Sequence, residues 1–206
     1  MKEQFTRKRI IQSAEDLYAA VDFSDVSMRA ISDSAKVNIP SIYHYYQSEE
    51  EILEHILKAT EQLIMLHLPC NRETDSPIEQ LLAFIADFLS RLLGKNHLIL
   101  IFLKARNGNI AIGLRGYIER IETRIASILD ALLDQCRRAG TFTLDIPNQI
   151  VINVFFIMMT EAGRYKRRYL LTTPGTINCT GQEVLPAVQL NQLRQPIEAL
   201  FRYILM

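Results

Sequence analysis

Residues 27–53 read SMRAISDSAKVNIPSIYHYYQSEEEIL, and this stretch decides the fold. Ser27 is predicted to cap a short helix over residues 28–35, because a serine side chain accepts a hydrogen bond from the free amides of a first helical turn. The three residues that follow are too few for anything but a turn. Asn38 is the next predicted cap, and Pro40 lies in the first turn of a third helix, where a missing N–H costs nothing. The stretch therefore predicts two short helices across a tight turn.

One helix is predicted before this pair and another after it. Residues 23–25 separate the first helix from the pair. Ser48 and Glu51 have the spacing of a capping box for a fourth helix, which we expect to continue through Leu68. The first helix is indicated by apolar residues that recur every three or four positions, namely Ile10, Ala14, Leu17, Tyr18 and Val21.

The third helix is predicted to have an inward and an outward face. Ile42 and Tyr46 lie four residues apart, so we expect both side chains to point into the core. For Tyr46 this inward position is favoured over an outward one. The residues expected to face outward are Ser41, Tyr43, His44 and Tyr45.

Two helices joined by three or four residues fit B-DNA, whose major groove admits one helix while the neighbouring helix rests on the backbone. The sequence therefore predicts a helix-turn-helix whose third helix reads the groove. Tyrosine hydroxyls can donate to phosphate oxygens, and Asn, Ser and His side chains reach base edges. The alternative is that the tyrosines only complete a small three-helix core, and for Tyr43 phosphate contact is favoured. The predicted DNA contacts are Thr6, Arg7, Ser27, Arg29, Lys36, Asn38, Ser41, Tyr43, His44 and Tyr45.

The predicted reading head carries no net charge. Residues 1–48 contain six Lys and Arg side chains and six Asp and Glu side chains. Most DNA-binding domains are basic, because neutralised phosphates supply much of their affinity. The cations do cluster in the arm at residues 6–9, at Arg29 and at Lys36, which are the edges that flank the groove. Local placement therefore has to compensate for the neutral total.

The same stretch resembles the N-terminal domain of the TetR/AcrR family of bacterial repressors. The resemblance implies a homodimer with one reading head per subunit and a C-terminal domain whose ligand loosens DNA binding. It also implies a dimer interface in the last two helices, around residues 150–164 and 190–205. The residues that carry the resemblance are 10–11, 14, 17–18, 23, 27–31, 35–38 and 41–50.

Four residues depart from the pattern of this family. Asp22, Lys36 and Pro40 stand where glycines are usual, although aspartate tolerates the left-handed backbone better than most residues. Glu49 replaces a lysine that the family commonly places near a phosphate. We therefore expect an intact fold, an altered approach to DNA and a weaker DNA affinity.

The composition excludes several classes of protein. With 206 residues, 49% of them hydrophobic and a net charge of zero, the chain can bury a sizeable core in one long or two compact domains. No secretory signal opens the chain, and no apolar run reaches the roughly eighteen residues of a membrane span, so we expect a cytoplasmic protein without a membrane partner. The three cysteines, Cys70, Cys136 and Cys179, form no CxxC pair, which argues against a disulfide framework and a zinc site.

Nothing in the sequence indicates catalysis. Phosphate-loop, GxSxG and HExxH motifs are missing, and the four histidines are scattered. Glu51 and His55 share one helix face, but one such pair is not a metal site. We therefore predict neither an enzyme nor a cofactor.

The rest of the chain predicts a helical bundle. Ser76 and Glu79 form a capping box for a helix over residues 77–93. Pro196 either kinks the last helix or marks its true start. The other predicted helices cover residues 97–106, 114–138 with Gly140 as the end, 147–165 and 190–204, with a long loop at 171–186. The fold class is thus all-α, with a helix-turn-helix domain (1–48), a connecting helix (49–68) and a helical ligand-binding and dimerisation domain (77–206).

The bundle is the predicted sensor. Its aromatic and methionine side chains are suited to line a cavity between helices, although core packing is the favoured role for any single one. By the family resemblance, the ligand is a small apolar or amphipathic molecule. The predicted ligand contacts are Phe84, Phe88, Phe102, Tyr117, Phe155, Met158 and Met159, with Phe156 beside them.

Charged residues of the bundle have two possible roles. Arg106, Glu161 and Arg164 can add polar specificity to a ligand site, but an exposed or ion-paired role is favoured. The basic cluster at residues 164–169 can bind nucleic acid or an anionic ligand. For this cluster the favoured role is structural, because cations complement the dipole at a helix C-terminus.

These patterns and the resemblance predict a ligand-responsive, DNA-binding transcriptional regulator. By resemblance it is a repressor that releases its operator when a small molecule binds the C-terminal domain. The alternative is a helical small-molecule-binding or scaffold protein with weakened or lost DNA binding, as Glu49 and the neutral head permit.

Overall fold

The computed structural model describes residues 2–66, 76–94, 97–142, 145–172 and Ala199. Within these ranges the regular structure is entirely helical, which confirms the predicted all-α class. A 3₁₀ turn at Phe23–Asp25 separates the first two helices. The α-helices are α1 (Lys2–Ala20), α2 (Met28–Ala35), α3 (Ile39–Tyr45), α4 (Glu49–Leu66), α5 (Pro77–Leu93), α6 (Leu98–Asn107), α7 (Ile112–Arg138) and α8 (Asn148–Thr172).

Most predicted helix bounds are close to the observed ones, and two differ. α1 begins at Lys2, so the residues expected to form a basic arm are helical. α8 continues to Thr172 instead of ending near Tyr165, and the first two residues of the predicted loop are therefore helical. The rest of that loop, the last predicted helix apart from Ala199, and Leu68 lie outside the described residues.

Local caps fix the ends of the short helices. The Ser27 side chain accepts a hydrogen bond from the amide of Ala30 at 3.1 Å, and Asn38 Oδ1 accepts one from the amide of Ser41 at 2.9 Å. Both predicted caps are thus confirmed. Gly140 takes a left-handed φ of 70° two residues after α7, as its predicted role as the end of that helix requires.

Only one of the two hydrogen bonds of the predicted capping box of α4 is present. Ser48 Oγ accepts a hydrogen bond from the amide of Glu51 at 3.3 Å. The Glu51 carboxylate, however, accepts from the amide of Gln47 at 2.6 Å instead of from Ser48. The Glu51 side chain therefore still caps the start of α4, but it binds the amide one residue earlier than a capping box requires. The box of α5 is complete, because the Ser76 amide donates to the Glu79 carboxylate at 2.9 Å.

The first three helices pack around a small core. Ile10 and Ala14 of α1, Ile31 of α2 and Ile42 of α3 are fully buried, and Tyr46 is 2% exposed. The predicted inward positions of Ile42 and Tyr46 are therefore confirmed. Burial of one large aliphatic side chain contributes about 2 kcal/mol, so this cluster holds the three helices together.

α4 joins this head to the bundle formed by α5 to α8. Its buried residues belong to one apolar cluster that extends from α1 to α8. Tyr117 Oη of α7 donates to Glu54 of α4 at 2.6 Å, and Arg120 donates to Glu61 at 2.8 Å, so polar contacts reinforce the α4–α7 interface. Among the described residues, no helix is both long and apolar enough to cross a membrane.

Candidate nucleic-acid interface

The turn between α2 and α3 is held in one conformation. Lys36 ends α2 with a left-handed backbone at φ 51° and ψ 46°. Arg9 of α1 donates to the carbonyl of Ala35, and to that of Lys36 at 3.2 Å. The Ser32 hydroxyl donates to the carbonyl of Val37 at 2.6 Å. A lysine in this region costs about 1 kcal/mol relative to glycine, and the surrounding hydrogen bonds maintain the conformation.

The two departures from glycine around α1 and α2 behave differently. Lys36 adopts the left-handed conformation that glycine favours, whereas Asp22 is extended at φ −69° and ψ 154°. Asp22 therefore does not adopt the left-handed conformation that a glycine at this position would favour. Its carboxylate instead accepts a hydrogen bond from Arg167 of α8 at 2.8 Å.

α3 exposes two of its four predicted outward residues to solvent. Tyr43 is 53% exposed, and the His44 side chain is 69% exposed. Tyr45 is only half-buried, because it packs against the core and lies edge-on to His44 with 5.0 Å between ring centroids. The outward position predicted for Tyr45 thus holds only in part. Ser41 is also half-buried.

The amino end of α3 places Asn38 and Ser41 side by side. Asn38 Oδ1 accepts from both the amide and the hydroxyl of Ser41. The side-chain carbonyl of Asn38 is therefore committed to the cap, whereas its amide group is not part of it. Of the two predicted base contacts, Asn38 offers a donor at the amino end of the helix, where a reading helix approaches base edges.

The predicted cations differ in whether their side chains are already hydrogen-bonded within the protein. Arg29 on α2 and Lys36 in the turn are exposed. Arg7 is exposed as well, but its Nε donates to the Tyr46 hydroxyl at 3.1 Å. Thr6 is half-buried. Arg29 and Lys36 are thus the predicted contacts best placed to attract phosphate.

Glu49 has a structural role that the sequence did not indicate. Its carboxylate accepts a hydrogen bond from the amide of Met28 at 2.8 Å, across from α4 to the amino end of α2. Its carbonyl accepts from the Tyr18 hydroxyl at 2.9 Å. Glu49 therefore ties three helices together, and it places a negative charge where a helix amino end otherwise favours a bound anion.

The aromatic residues predicted to contact a ligand form a packed core. The ring centroids of Phe88 and Phe155 are 5.1 Å apart, and Phe84 lies 6.0 Å from Phe155. Phe102 and Met159 are fully buried. The cavities beside this cluster have volumes of about 10 and 20 Å³, too small for a ligand. The described residues therefore place these side chains in the core, the favoured alternative.

The remaining members of the predicted ligand set lie elsewhere. Tyr117 contacts Glu54 at the α4–α7 interface, and Met158 is half-buried on α8. The charged residues considered for the ligand site are ion-paired, as favoured. Arg106 contacts Glu122 at 2.8 Å, and Arg164 contacts Glu161 at 2.6 Å.

A cleft of about 500 Å³ lies between the head and the bundle. We call it the junction cleft. Its walls come from the segment after α1, from α6 and from α8. Its lining includes residues 22–24, Leu100, Leu103, Lys104, residues 107–109, Thr160 and Arg167.

Two cations in this cleft hold the carboxyl end of α1. Lys104 Nζ donates to the carbonyl of Tyr18 at 2.6 Å and also to that of Val21. Arg167 Nε donates to the carbonyl of Ala20 at 3.0 Å. Burial, together with the neighbouring Arg167, lowers the pKa of Lys104 to about 8, although Asp22 and Asp25 act in the opposite direction. The bundle therefore caps the first helix of the head.

Two members of the basic cluster on α8 hold the ends of other helices. Lys166 is 2% exposed and donates to the carbonyls of Leu92 and Gly94, at 2.9 and 2.8 Å. It thus closes α5, while Arg167 closes α1. Burial lowers the pKa of Lys166 to about 7. No three His, Cys, Asp or Glu side chains in the described ranges are grouped to hold a metal ion.

Comparisons with known proteins agree with this arrangement. Residues 10–56 match the family described as bacterial regulatory proteins, tetR family. A probable HTH-type transcriptional regulator of Bacillus subtilis (strain 168), YttP, is 34% identical over 88 residues, which span 41% of this chain and 42% of that protein.

Two solved structures share the fold over nearly the whole chain. The ketosteroid transcriptional regulator KstR2 of Mycobacterium tuberculosis has a TM-score of 0.73 at 18% identity, covering 95% of this chain and 92% of its own. AibR, solved in complex with isovaleryl coenzyme A and operator DNA, has a TM-score of 0.72 at 16% identity, covering 95% and 97%. Residues 10–56 thus resemble the tetR family of bacterial regulatory proteins, and the fold that the chain shares with these two regulators extends over nearly its whole length.

Proposed function

We propose that this chain binds operator DNA through α3 and represses transcription until a small molecule binds its C-terminal domain. The observation that carries the proposal is the exposed pair Tyr43 and His44 on α3, beside Arg29 and Lys36 at a rigid turn. Tyr43 and the two cations contact phosphates, and His44 with Asn38 contacts base edges. In this account, residues 1–48 form the reading head, 49–68 the connecting helix and 77–206 the sensor. Because the proposed operator is chromosomal DNA, the proposed site of action is the cytoplasm.

The proposed regulator is a homodimer, so that two reading heads meet two half-sites. An exposed apolar face of α8 supports this proposal. Ile150, Ile157 and Tyr165 are 49%, 62% and 43% exposed, and their spacing of seven and eight residues places them on one side of the helix. Such a face is suited to pack against its own copy about a two-fold axis.

Response to a ligand is proposed from the contacts between bundle and head. Lys104 and Arg167 bind the end of α1, and α1 packs on α2. A ligand that shifts α6 or α8 therefore changes the position of the helix-turn-helix. AibR, which shares the fold, was solved with both a coenzyme A thioester and operator DNA. For this chain the proposed ligand is a small apolar or amphipathic molecule.

Glu49 and the neutral head favour a second candidate function. The head has equal numbers of cations and anions, and Glu49 places a carboxylate at the amino end of α2. Both features lower the attraction for phosphate. The second candidate is a helical small-molecule-binding or scaffold protein with weakened or lost DNA binding.

The two candidates are separated by retention of genomic DNA fragments on the purified protein at two salt concentrations, followed by sequencing. The regulator is expected to enrich a palindromic site, with an affinity that falls steeply as salt rises. No retention even at low salt would favour the second candidate.

A further inference from the structure

The junction cleft combines an apolar wall with an excess of positive charge. Leu100 and Leu103 of α6 are buried and form part of the wall, and the ring of Phe23 lies opposite Lys104, 4.7 Å from its Nζ. The cleft is lined by one carboxylate, that of Asp22, and by three cations, Lys104, Arg167 and Arg164, of which Arg164 is also paired with Glu161. Its volume of about 500 Å³ is within the range of small-molecule sites, roughly 300–1,000 Å³.

The two inner cations are bound mainly by neutral groups. Lys104 Nζ donates to two backbone carbonyls, and Arg167 divides its donors between the carbonyl of Ala20 and the carboxylate of Asp22. Burial and the nearby Arg167 lower the pKa of Lys104, and the carboxylates of Asp22 and Asp25 only partly offset this lowering, so the charged form of Lys104 remains disfavoured. An anionic group placed between the two cations relieves this cost.

From this geometry we infer that the junction cleft binds an anionic amphiphile, a molecule with one carboxylate and a short apolar body. The carboxylate contacts Lys104 and Arg167, and the apolar body lies on Leu100, Leu103 and Phe23. Charge-assisted hydrogen bonds from both cations fix the head of the molecule. This inference rests on the proposed function in one respect, because it names the ligand class and the site for the proposed response.

Binding at this position acts directly on the head. The carboxylate competes with the carbonyls of Tyr18, Ala20 and Val21 for the same two cations. Loss of these contacts leaves the carboxyl end of α1 less firmly held, and α1 packs on α2 of the helix-turn-helix. The ligand therefore favours a state with a displaced reading head, and DNA affinity falls.

The first test measures ligand binding without DNA, by titration calorimetry of the purified full chain. The probes are octanoate, octan-1-ol and octylammonium, which share a chain and differ in head charge. Octanoate is expected to bind about tenfold more tightly than octanol, because one charge-assisted contact is worth about that factor. Octylammonium is expected to bind more weakly than octanol. Equal affinities for the three probes would overturn the inference.

Two arginine variants provide a matched pair. Arg167→Gln removes a cleft cation that contacts Asp22 at 2.8 Å, and Arg120→Gln removes a distant one that contacts Glu61 at the same distance. Octanoate affinity is expected to fall about tenfold in the first variant and to change by less than about twofold in the second. Identical affinities in both variants would show that the cleft is not the site.

A steric variant keeps the caps of α1 intact. Thr160→Phe fills the cleft from α8 without removing Lys104 or Arg167. It is expected to retain the wild-type unfolding temperature and to lose octanoate binding. Unchanged octanoate binding in a folded Thr160→Phe protein would also overturn the inference.

DNA measurements keep this inference separate from the proposed function. If wild type retains DNA, octanoate is expected to weaken that retention, and Thr160→Phe is expected to be insensitive. Charge-selective octanoate binding in a protein without DNA retention would support the site and refute the regulator. DNA retention without charge-selective ligand binding would do the opposite.

Discussion

The α2–α3 turn and the junction cleft use their cations in different ways. At the turn, Arg29 and Lys36 are exposed, so their field extends into solvent. In the cleft, Lys104 and Arg167 bind carbonyls at the end of α1. Exposed cations add little to folding stability but attract a polyanion, whereas half-buried cations that donate to backbone carbonyls become structural contacts. Residue type alone therefore does not separate a candidate DNA contact from a helix cap; burial and hydrogen-bond partners do.

The largest effect is expected from Lys104→Met, which tests the buried side of this comparison. The substitution leaves the carbonyls of Tyr18 and Val21 without their donor, so the free energy of unfolding should fall by about 3 kcal/mol. Urea denaturation measures the change.

Lys58→Met is the control. Lys58 is exposed, pairs with Glu54 on its own helix and has its Nζ 5.7 Å from the centroid of the Tyr117 ring, so its loss should change stability by less than about 1 kcal/mol. Equal losses in both variants would break the comparison.

A second prediction concerns the half-buried carboxyl group of Glu15 in α1. Burial, together with the neighbouring Asp16, raises the pKa of Glu15 to about 7. A raised carboxyl pKa means that the folded state favours the protonated form, so this stability is present below pH 4.5 and is lost as pH rises through 7. Glu15→Gln stays neutral and should stabilise the protein by about 2 kcal/mol at pH 8, with almost no gain at pH 4.5. Thermal unfolding at both pH values measures this, and a gain independent of pH would contradict it.

Substitution of Lys36 is expected to have opposite effects on folding stability and on DNA affinity. Lys36→Gly should raise the free energy of unfolding by about 1 kcal/mol, because glycine accepts the left-handed φ of 51° without strain. Lys36→Gly and Lys36→Ala should both weaken binding to every DNA sequence and lower the salt slope by about one. Denaturation and fluorescence anisotropy measure the two effects. An unchanged salt slope would remove Lys36 from the phosphate contacts.

The smallest predicted effect is that of the Tyr43 hydroxyl. Tyr43→Phe should weaken binding to all DNA sequences by about threefold, the loss expected for one exposed hydrogen bond to phosphate. Tyr117→Phe is the control, because it also removes one tyrosine hydroxyl, which contacts Glu54 at the α4–α7 interface instead of lying on α3. Similar DNA affinities for both variants would assign Tyr43 a role in packing only.

The reading head was largely predictable because its determinants are local. Ser27 and Asn38 cap helices three residues away, and the spacing of Ile42 and Tyr46 places both inside. A hydrogen bond or a helical period within a few residues is written in the sequence directly. The sequence did not reveal that Glu49, the first residue of α4, accepts a hydrogen bond from the amino end of α2 in the head.

The junction cleft was not predictable for the same reason. Lys104 contacts a carbonyl 86 residues away, and Arg167 contacts one 147 residues away. No local pattern marks such a partner, so the cluster around Arg167 was expected to complement the end of α8. The aromatic residues Phe84, Phe88 and Phe155 have the same helical spacing whether they line a cavity or fill a core. Only their packing distances settle the question.

Whether α3 reads DNA is tested by comparing wild type with His44→Ala. Both proteins are incubated with the same genomic fragment library, and the retained fragments are sequenced. The account predicts a palindromic site for wild type and a relaxed or altered base preference at the same symmetric positions for His44→Ala. Identical enriched sites for the two proteins would contradict the assignment of α3 as the reading helix.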